Sequence, residues 1–455
     1  MTDYRPDPKI LELGADFYDP VAPARFPQAI PRFLNHRWAE QVGLELDDAG
    51  SVAHFCRFEP LPGNLTEPLA LRYHGHQFRV YNPDIGDGRG FLYAQLRDDR
   101  DRLLDLGTKG SGQTPYSRRA DGRLTLKGGV REVLATEMLE ALGVNTSKTF
   151  ALFETGEDLE RWDEPSPTRS AVLTRLSHGH IRIGTFQRLA FFGETENIAK
   201  LTRYCLEQLY GDQPAASDQD NALRLFDLVS QATATLAASY LAAGFVHGVL
   251  NSDNINVTGE SFDYGPWRFT PEWDPGFTAA YFDHYGLYAF GRQPEAIHWD
   301  LAQFAGCLSL IADGPPLSDL LAGWGARFES ALTDALLRRL GVTGDGEVAA
   351  ALIAALATRE ATIDRVFFDW RGGGDPGPDK YPSAPFRALA KALEGRERPQ
   401  PHPYWSDAAP CSMHIDEVEA IWSAIAERDD WQPFTDKVTA IRRMGGAMRS
   451  DASEA

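Results

Sequence analysis

The hydrophobic pattern of the chain changes once, near Gly184, and this change constrains the fold more than any other feature. Before it, short apolar runs alternate with polar turns, as at Gly90–Arg97 and Arg102–Thr108, which the turn at 98–101 joins into a hairpin. After it, apolar residues recur at helical spacing, most clearly over Asn221–Ala243. A small β-rich unit followed by a larger helical one predicts an α+β fold.

Other segments carry weaker signals of the same kind. Prolines at 20, 23, 27 and 31 predict an extended N-terminal arm, followed by a helix near 32–43. One helix is predicted inside the β-rich unit, over Val130–Leu142, where Gly143 ends it. The remaining predictions are strands near 148–154 and 170–177, helices over Phe186–Phe192 and Glu194–Tyr210, short β-like pieces at Phe245–Leu250 and Ile255–Val257, and further helices beyond Trp299.

Charge and apolar length exclude several classes of protein. The 455 residues include 45 Lys+Arg and 65 Asp+Glu, a formal charge of −20. This acidic surplus disfavours binding to nucleic-acid backbones and to anionic membranes. The longest apolar stretch, Val348–Ala357, is too short to span a bilayer, and the first ten residues lack a signal-peptide core. We therefore predict a cytoplasmic protein with no nucleic-acid or membrane partner; the sequence does not indicate an oligomeric state.

A local basic cluster stands out against this acidic background. Six cations and one acid, Asp121, lie between Gly107 and Arg131, interleaved with glycines that allow backbone N–H groups to approach an anion. The cations are Lys109, Arg118, Arg119, Arg123, Lys127 and Arg131. Two interpretations stay open, an anion-binding site and a solvated basic loop.

The order of residues around this cluster resembles the order that protein kinases use around ATP. A glycine turn (Gly86, Gly88, Arg89) precedes the first hairpin strand, Lys109 ends the second, and Glu132 lies in the next helix. In that arrangement the lysine holds phosphates and the glutamate orients the lysine. The alternative for Lys109 and Glu132 is a surface ion pair of little energetic weight.

The second half supplies metal-ligand candidates but lacks one catalytic residue. His247-Gly248 is followed by Asn254 and then by Asp263, at the spacing of the metal-binding Asn and Asp of kinase-like folds. Oxygen ligands of this type suit Mg²⁺ with a triphosphate, although a capping or turn role is the alternative. The position of the catalytic base is Val249, which cannot accept a proton. Asp253 could replace it only if the nucleotide lies differently.

Eight segments together resemble the selenoprotein O (YdiU) family of pseudokinase-fold protein adenylyltransferases, in family order over roughly residues 16–310. These segments are DFYDPVAPARFP (16–27), YHGHQF (73–78), IGDGRG (85–90), DLGTKGSGQTPYSRRADGR (105–123), GGVREVLATEMLEALGV (128–144), LTRLSHGHIRIGTFQ (173–187), HGVLNSDNINVTGESFDYGP (247–266) and FGRQP (290–294).

The resemblance implies a kinase-like bilobal fold, with a small β-rich N-lobe and a larger helical C-lobe, that binds ATP in flipped orientation. It implies transfer of AMP to Ser, Thr or Tyr hydroxyls of proteins, with Mg²⁺ or alternatively Mn²⁺. We expect an N-terminal arm over 1–60 that packs on the core, an N-lobe over 61–177, a C-lobe over 178–320 and a helical extension over 321–455.

The resemblance also assigns roles to individual residues. Asp253 would be the catalytic proton acceptor, and Asn254 and Asp263 would bind the metal. Glu132 would pair with Lys109. The residues expected around the nucleotide are Gly86, Gly88, Arg89, Lys109, Asp121, Gly122, Arg175, Arg182 and Asp263.

Three departures accompany the resemblance. Arg79 stands where the family usually has glycine, residues 310–455 do not match the family's C-terminal pattern, and Cys411 is no clear counterpart of its redox-active C-terminal residue. Two other functions stay open: a kinase-like phosphotransferase, which Val249 argues against, and a catalytically dead nucleotide-binding scaffold.

Overall fold

The computed structural model describes residues 3–162, 164–371, 376–396 and 402–449. In these ranges the strands are β1 (Tyr18–Pro20), β2 (Ile30–Leu34), β3 (Leu69–Leu71), β4 (Gly75–Gln77), β5 (Val80–Asn82), β6 (Leu92–Arg97), β7 (Leu103–Lys109), β8 (Leu124–Thr125), β9 (Lys148–Leu159), β10 (Thr168–Ser177), β11 (Phe245–Val246) and β12 (Arg268–Phe269).

The helices lie mainly in the second half of the chain. They are α1 (His36–Gln41), α2 (Asp48–Phe55), α3 (Leu126–Ala141), α4 (Ile183–Phe191), α5 (Thr195–Tyr204), α6 (Asp218–Ala243), α7 (Gln293–Leu308), α8 (Gly314–Ala322), α9 (Trp324–Leu340), α10 (Gly346–Leu356), α11 (Ile363–Arg371), α12 (Ala384–Ala392), α13 (Ile415–Arg428) and α14 (Gln432–Arg449). No helix within the described ranges is long and apolar enough to cross a bilayer.

An antiparallel sheet forms the first half of the protein. Its strand order is β1-β3-β6-β7-β10-β9-β2, and β8 pairs with β10. The predicted hairpin is confirmed, because Leu96 on β6 pairs with Leu104 on β7. Both outer strands, β1 and β2, come from the N-terminal arm, so this arm covers the two edges that would otherwise expose unpaired backbone groups. The protein is therefore a mixed α/β protein with an antiparallel sheet and many helices. The kinase-like bilobal arrangement and the domain boundaries remain predictions.

The sheet is buried on both faces, so its central strands β6, β7 and β10 have almost no exposed positions. Along β10, Ala171 and Leu173 face a core shared with α3 and the helical half, whereas Val172 and Leu176 face a second core. That second core also contains side chains from the segment that carries α1 and α2, such as Phe55. A central strand covered on both sides has no solvent face and therefore shows no polar alternation.

Helix α3 begins four residues earlier than the sequence pattern indicated. The Thr125 side chain accepts a hydrogen bond from Gly128 N at 3.1 Å and so caps the helix. Two glycines in the first turn hide this start, because glycine weakens any helix signal. Gly129 is required by packing: a Cβ there would come within 2.5 Å of the Leu152 side chain.

Two other predictions were wrong in detail. The helix expected near 32–43 is strand β2 followed by the short α1, because residues 30–34 pair with β9. The β-like piece at 245–250 shortens to β11, and 255–257 contributes only an isolated bridge between Asn256 and Arg182. Such long-range pairing leaves no local signal.

The C-terminal helices return to the sheet half and pack on α3. Arg442 on α14 donates two hydrogen bonds of 2.7 Å to the buried Glu137 carboxylate of α3. Lys127, in the first turn of α3, forms an ion pair of 2.7 Å with Glu419 on α13. Helices α13 and α14 therefore restrain the helix that carries Glu132.

We expect Arg442→Ala to destabilise the fold by about 1–3 kcal/mol, because it leaves a buried carboxylate with one long contact. That contact is the 3.5 Å hydrogen bond from Asn35 to Glu137. Urea unfolding of the variant and of the wild type measures the difference. Arg443→Ala is the matched control: its partner Asp407 is at the surface, and its loss should cost less than about 1 kcal/mol. Equal effects of the two substitutions would contradict the proposed restraint.

Candidate active site

A buried ion pair lies at the centre of the candidate site. Lys109 Nζ, at the end of β7, is 2.6 Å from Glu132 Oε2 on α3, and both side chains are at most 5% exposed. The same Nζ is 2.9 Å from Asp263 Oδ1, in the loop after β11. The alternative of a solvated surface pair is therefore wrong. One ammonium group links the sheet, α3 and the loop of the helical half.

Arg175 adds a second cation to this network. Its Nη1 lies 3.6 Å from both Glu132 Oε1 and Asp263 Oδ1. These distances are too long for hydrogen bonds, and both Arg175 Nη1 and Glu132 Oε1 are buried without a hydrogen-bond partner. The arrangement leaves a desolvated cation that still has hydrogen-bonding capacity.

His180 fixes the opposite edge of the Arg175 guanidinium. Arg175 Nε donates to His180 Nε2 at 3.2 Å, and His180 Nδ1 lies 3.1 Å from Asp105 Oδ2. Burial lowers the pKa of His180, so the ring is neutral, with its proton on Nδ1 and an acceptor at Nε2. Gly107 permits this contact, because a Cβ there would come within 2.5 Å of the ring.

Asp263 adopts an unusual backbone conformation next to these cations, with φ of +62°. Burial opposes ionisation of its carboxyl group, but Lys109 and Arg175 outweigh this and hold its pKa well below the usual value. Asp263 is therefore a carboxylate across the physiological range and is available to a cation.

Arg182 connects Asp253 to the glycine turn. Its Nη1 donates to the Asp253 carbonyl oxygen at 3.1 Å and its Nη2 to Asp87 Oδ1 at 3.2 Å. The guanidinium lies between two rings, 4.2 Å from the centroid of Tyr73 and 4.8 Å from that of Phe262. Such stacking holds a buried arginine in one orientation.

Asp253 itself is almost completely buried, and its Oδ1 has no hydrogen-bond partner. Burial raises the pKa of this carboxyl group to about 7, although the Arg182 charge acts in the opposite direction. A carboxylate oxygen that has no hydrogen-bond partner and lies at a cavity can accept a proton from a ligand bound there.

The donor set fits a metal ion only in part. Asn254 Nδ2 donates to the Val249 carbonyl oxygen at 3.0 Å, so the amide oxygen remains available. Within the described ranges no group of three His, Cys, Asp or Glu side chains is close enough to hold a metal. The oxygen atoms of Asn254 and Asp263 are of the kind that Mg²⁺ binds together with water and substrate phosphates, and their role as metal ligands stays a prediction.

Lys109, Arg175, Arg182, Asp253 and Asp263 lie around a cavity of about 370 Å³. Of the residues predicted from the sequence, it is lined by Gly86, Gly88, Arg89, Lys109, Arg175, Arg182, Asp253 and Asp263. Glu132 and Asn254 do not line it; Glu132 lies behind Lys109, to which it is bonded. The turn glycine Gly86 allows Tyr116 to pack closely, because a Cβ would meet that ring at 2.5 Å.

Two further predicted residues, Asp121 and Gly122, also lie outside the cavity. The Asp121 carboxylate forms an ion pair of 2.8 Å with Arg161 and lines a separate surface groove with Arg123 and Glu157. Gly122 lies behind it, packed against the backbone of Gly112, with φ of +70°. The structure therefore does not bring Asp121 and Gly122 together with the rest.

The cavity also contains residues that the sequence did not single out. The polar members are Tyr73, Gln77, Asp87, Thr108, Tyr116 and Ser117; Arg118, which the basic cluster had indicated, also lines the cavity. Asp87 could have been found, since it lies inside the glycine turn; Tyr73 and Gln77 reach the site only through the tertiary fold. Arg79, which replaces an expected glycine, has φ of +62°, so the turn keeps a glycine-like conformation.

Comparison with known proteins identifies the class. A family model described as protein adenylyltransferase SelO matches residues 2–369. Proteins named protein nucleotidyltransferase YdiU from Synechocystis sp. and Gloeobacter violaceus are 40% and 42% identical. Both alignments cover 96% of this chain, and 97% and 95% of the relatives. One from Vibrio cholerae is 35% identical over 78% of this chain and 73% of its own length.

The protein is therefore an enzyme, a nucleotidyltransferase. The chain belongs to the protein adenylyltransferase SelO family. One expectation was wrong in part: residues 310–455 were predicted to depart from the family, yet the family model extends to residue 369 and the Synechocystis relative aligns over 96% of this chain. Residues beyond 369 lie outside the family model. Cys411 lies in this region; burial raises its thiol pKa to about 11, so it is a weak nucleophile at neutral pH.

Proposed function

We propose that this protein transfers AMP from ATP to Ser, Thr or Tyr hydroxyls of other proteins, in a Mg²⁺-dependent reaction, with ATP bound in flipped orientation in a kinase-like bilobal fold. The observation that carries the proposal is the pair Val249 and Asp253. Where a kinase has its catalytic base, this chain has the apolar Val249. Four residues later, Asp253 lines the cavity with a carboxylate oxygen that has no hydrogen-bond partner.

The proposed roles follow the geometry of the cavity. Asp253 accepts the proton of the attacking hydroxyl. Lys109, Arg175 and Arg182 neutralise the phosphates, and Glu132 orients Lys109. Asn254 and Asp263 would hold Mg²⁺, which neutralises phosphate charge. Gly86, Gly88 and Arg89 border the nucleotide. Asp121 and Gly122 contact it only if the nucleotide also reaches the separate surface groove that Asp121 lines.

The proposed transfer makes one bond and breaks one. The acceptor oxygen bonds to the α-phosphorus while the bond to the oxygen that bridges the α- and β-phosphates breaks, and the hydroxyl proton passes to Asp253. Pyrophosphate leaves with the negative charge that develops on it. The cations of the cavity, fixed before the reaction by buried contacts, stabilise that charge in a site of low dielectric.

The two alternatives make different products. A kinase-like phosphotransferase would release ADP, and a nucleotide-binding scaffold would release nothing. We expect label from the α-phosphate of ATP to appear on protein and label from the γ-phosphate not to appear. Electrophoresis of parallel reactions with the two labelled nucleotides measures this. Transfer of γ-label by the wild type would reject adenylyl transfer, and binding of ATP without any transfer would favour the scaffold.

The catalytic carboxylates give a second prediction. Asp253→Asn should lower the rate of transfer by about 10²–10⁴-fold because the proton acceptor is lost, while ATP binding and thermal unfolding stay close to wild type. Asp263→Asn should abolish the dependence of the rate on Mg²⁺ concentration together with most activity. Asp319→Asn, at an exposed position of α8, is the control. Near-normal transfer by Asp253→Asn would remove this residue from the mechanism.

The contact between His180 and Arg175 gives a third prediction. Arg175→Ala and His180→Leu should each weaken ATP binding by about tenfold, or about 1.4 kcal/mol, measured by calorimetry. If His180 acts through Arg175, the double variant should bind no more weakly than Arg175→Ala alone. His180→Gln, which keeps an acceptor, should restore part of the affinity, and His178→Leu should have little effect. Additive losses would show that His180 acts on the fold and not on Arg175.

A further inference from the structure

A surface of exposed aromatic and apolar side chains borders the candidate active site. We call it the aromatic surface, and it comprises Phe78, Val80, Phe191, Tyr281, Phe282 and Tyr285. Tyr285 is 92% exposed, Tyr281 71% and Val80 69%. Within the described ranges most exposed large apolar side chains are concentrated here. Concentrated exposure of this kind marks an interaction site in a stable protein.

Ring contacts arrange most of these side chains in two groups, both of which contact the hairpin of β4 and β5. The Phe78 ring, in the turn between β4 and β5, lies 5.8 Å from the Phe282 ring, and Tyr281 lies 5.1 Å from Phe282. On the other side of the same hairpin, Tyr81 stacks on Phe191 at the end of α4, with centroids 5.4 Å apart. The hairpin therefore joins the two ends of the surface.

The same hairpin is fastened to the loop that contains Asp253. His76 N donates to Ser252 Oγ at 2.8 Å, and Phe78 N donates to Asn251 Oδ1 at 3.0 Å. Between them, Gln77 lines the cavity itself. Phe78 is therefore the neighbour of a residue of the cavity wall, and a protein whose hydroxyl reaches Asp253 past this hairpin would lie against the aromatic surface.

Several charged groups near the aromatic surface are already paired. Glu295 forms ion pairs with Arg79 at 3.0 Å and Arg292 at 3.2 Å. The Asp283 carboxylate accepts hydrogen bonds of 2.8 Å from the backbone of Leu287 and Tyr288. The exposed side chains of the aromatic surface therefore remain available for apolar contact with a partner. An anionic membrane is a poor partner for a chain of charge −20.

We infer that the aromatic surface binds the acceptor protein, through apolar side chains that lie near the hydroxyl to be modified. The inference rests on the proposed function, and it adds the kind of acceptor that is preferred. Segments with aliphatic or aromatic residues beside a Ser, Thr or Tyr are selected over purely polar segments. Contact with the surface positions the hydroxyl near Asp253 and contributes binding energy without touching the nucleotide.

The variant that tests this is Tyr281→Ser combined with Tyr285→Ser. Both side chains are mostly exposed, so the fold does not depend on them. The probe is ATP labelled at the α-phosphate, with the soluble proteins of a bacterial lysate as acceptors. We expect initial labelling of these proteins to fall about tenfold, since two aromatic contacts of a protein interface are lost. The dissociation constant of ATP should not change.

Trp162→Ser is the matched control, because Trp162 is 88% exposed and does not belong to the aromatic surface. It should label the lysate as the wild type does. Labelling by the double variant at the wild-type rate would overturn the inference and leave the proposed function intact. If the wild type is a dimer, the double variant is a monomer and labelling is unchanged, the inference is also overturned, because the surface then binds a second copy of the chain. A wild type that transfers no label would overturn the proposed function and this inference with it.

Discussion

The buried contacts of Lys109 hold the candidate site together. Its ammonium group lies between the carboxylates of Glu132 and Asp263, which come from different parts of the chain. Removing a charge from water costs several kcal/mol, so each of these groups is tolerated only because the others are in place. The network therefore fixes the distance between the sheet, helix α3 and the loop after β11. Any phosphate that enters the cavity meets cations that are already positioned.

Residues near both ends of the sequence restrain helix α3, and they therefore restrain the position of Glu132 on that helix. Arg37, from the N-terminal segment, donates to the Glu140 carboxylate, while Arg442 from the last helix holds Glu137. Both carboxylates lie on the α3 that carries Glu132. Regions far from the cavity in sequence thus take part in its geometry, which is consistent with relatives that align over nearly the whole chain.

A structural feature could be predicted from the sequence when its pattern lies within one segment of the chain. The hairpin of β6 and β7 and the body of α3 were predicted because their periodicity lies within one segment. The resemblance supplied Arg175 and Arg182, which spacing alone did not. The edge strands from the arm, the contact of His180 with Arg175 and the exclusion of Asp121 from the cavity all depend on residues far apart in the chain. No pattern within a single segment encodes them.

The central claim is that the α-phosphate, and not the γ-phosphate, lies beside Asp253. A crystal structure with Mg²⁺ and α,β-methylene-ATP, which resists cleavage at the bond in question, measures this directly. The account predicts the α-phosphorus next to the Asp253 carboxylate, with the β- and γ-phosphates in contact with Arg175 and Arg182. A γ-phosphate beside Asp253, with the α-phosphate deeper among the arginines, would contradict it.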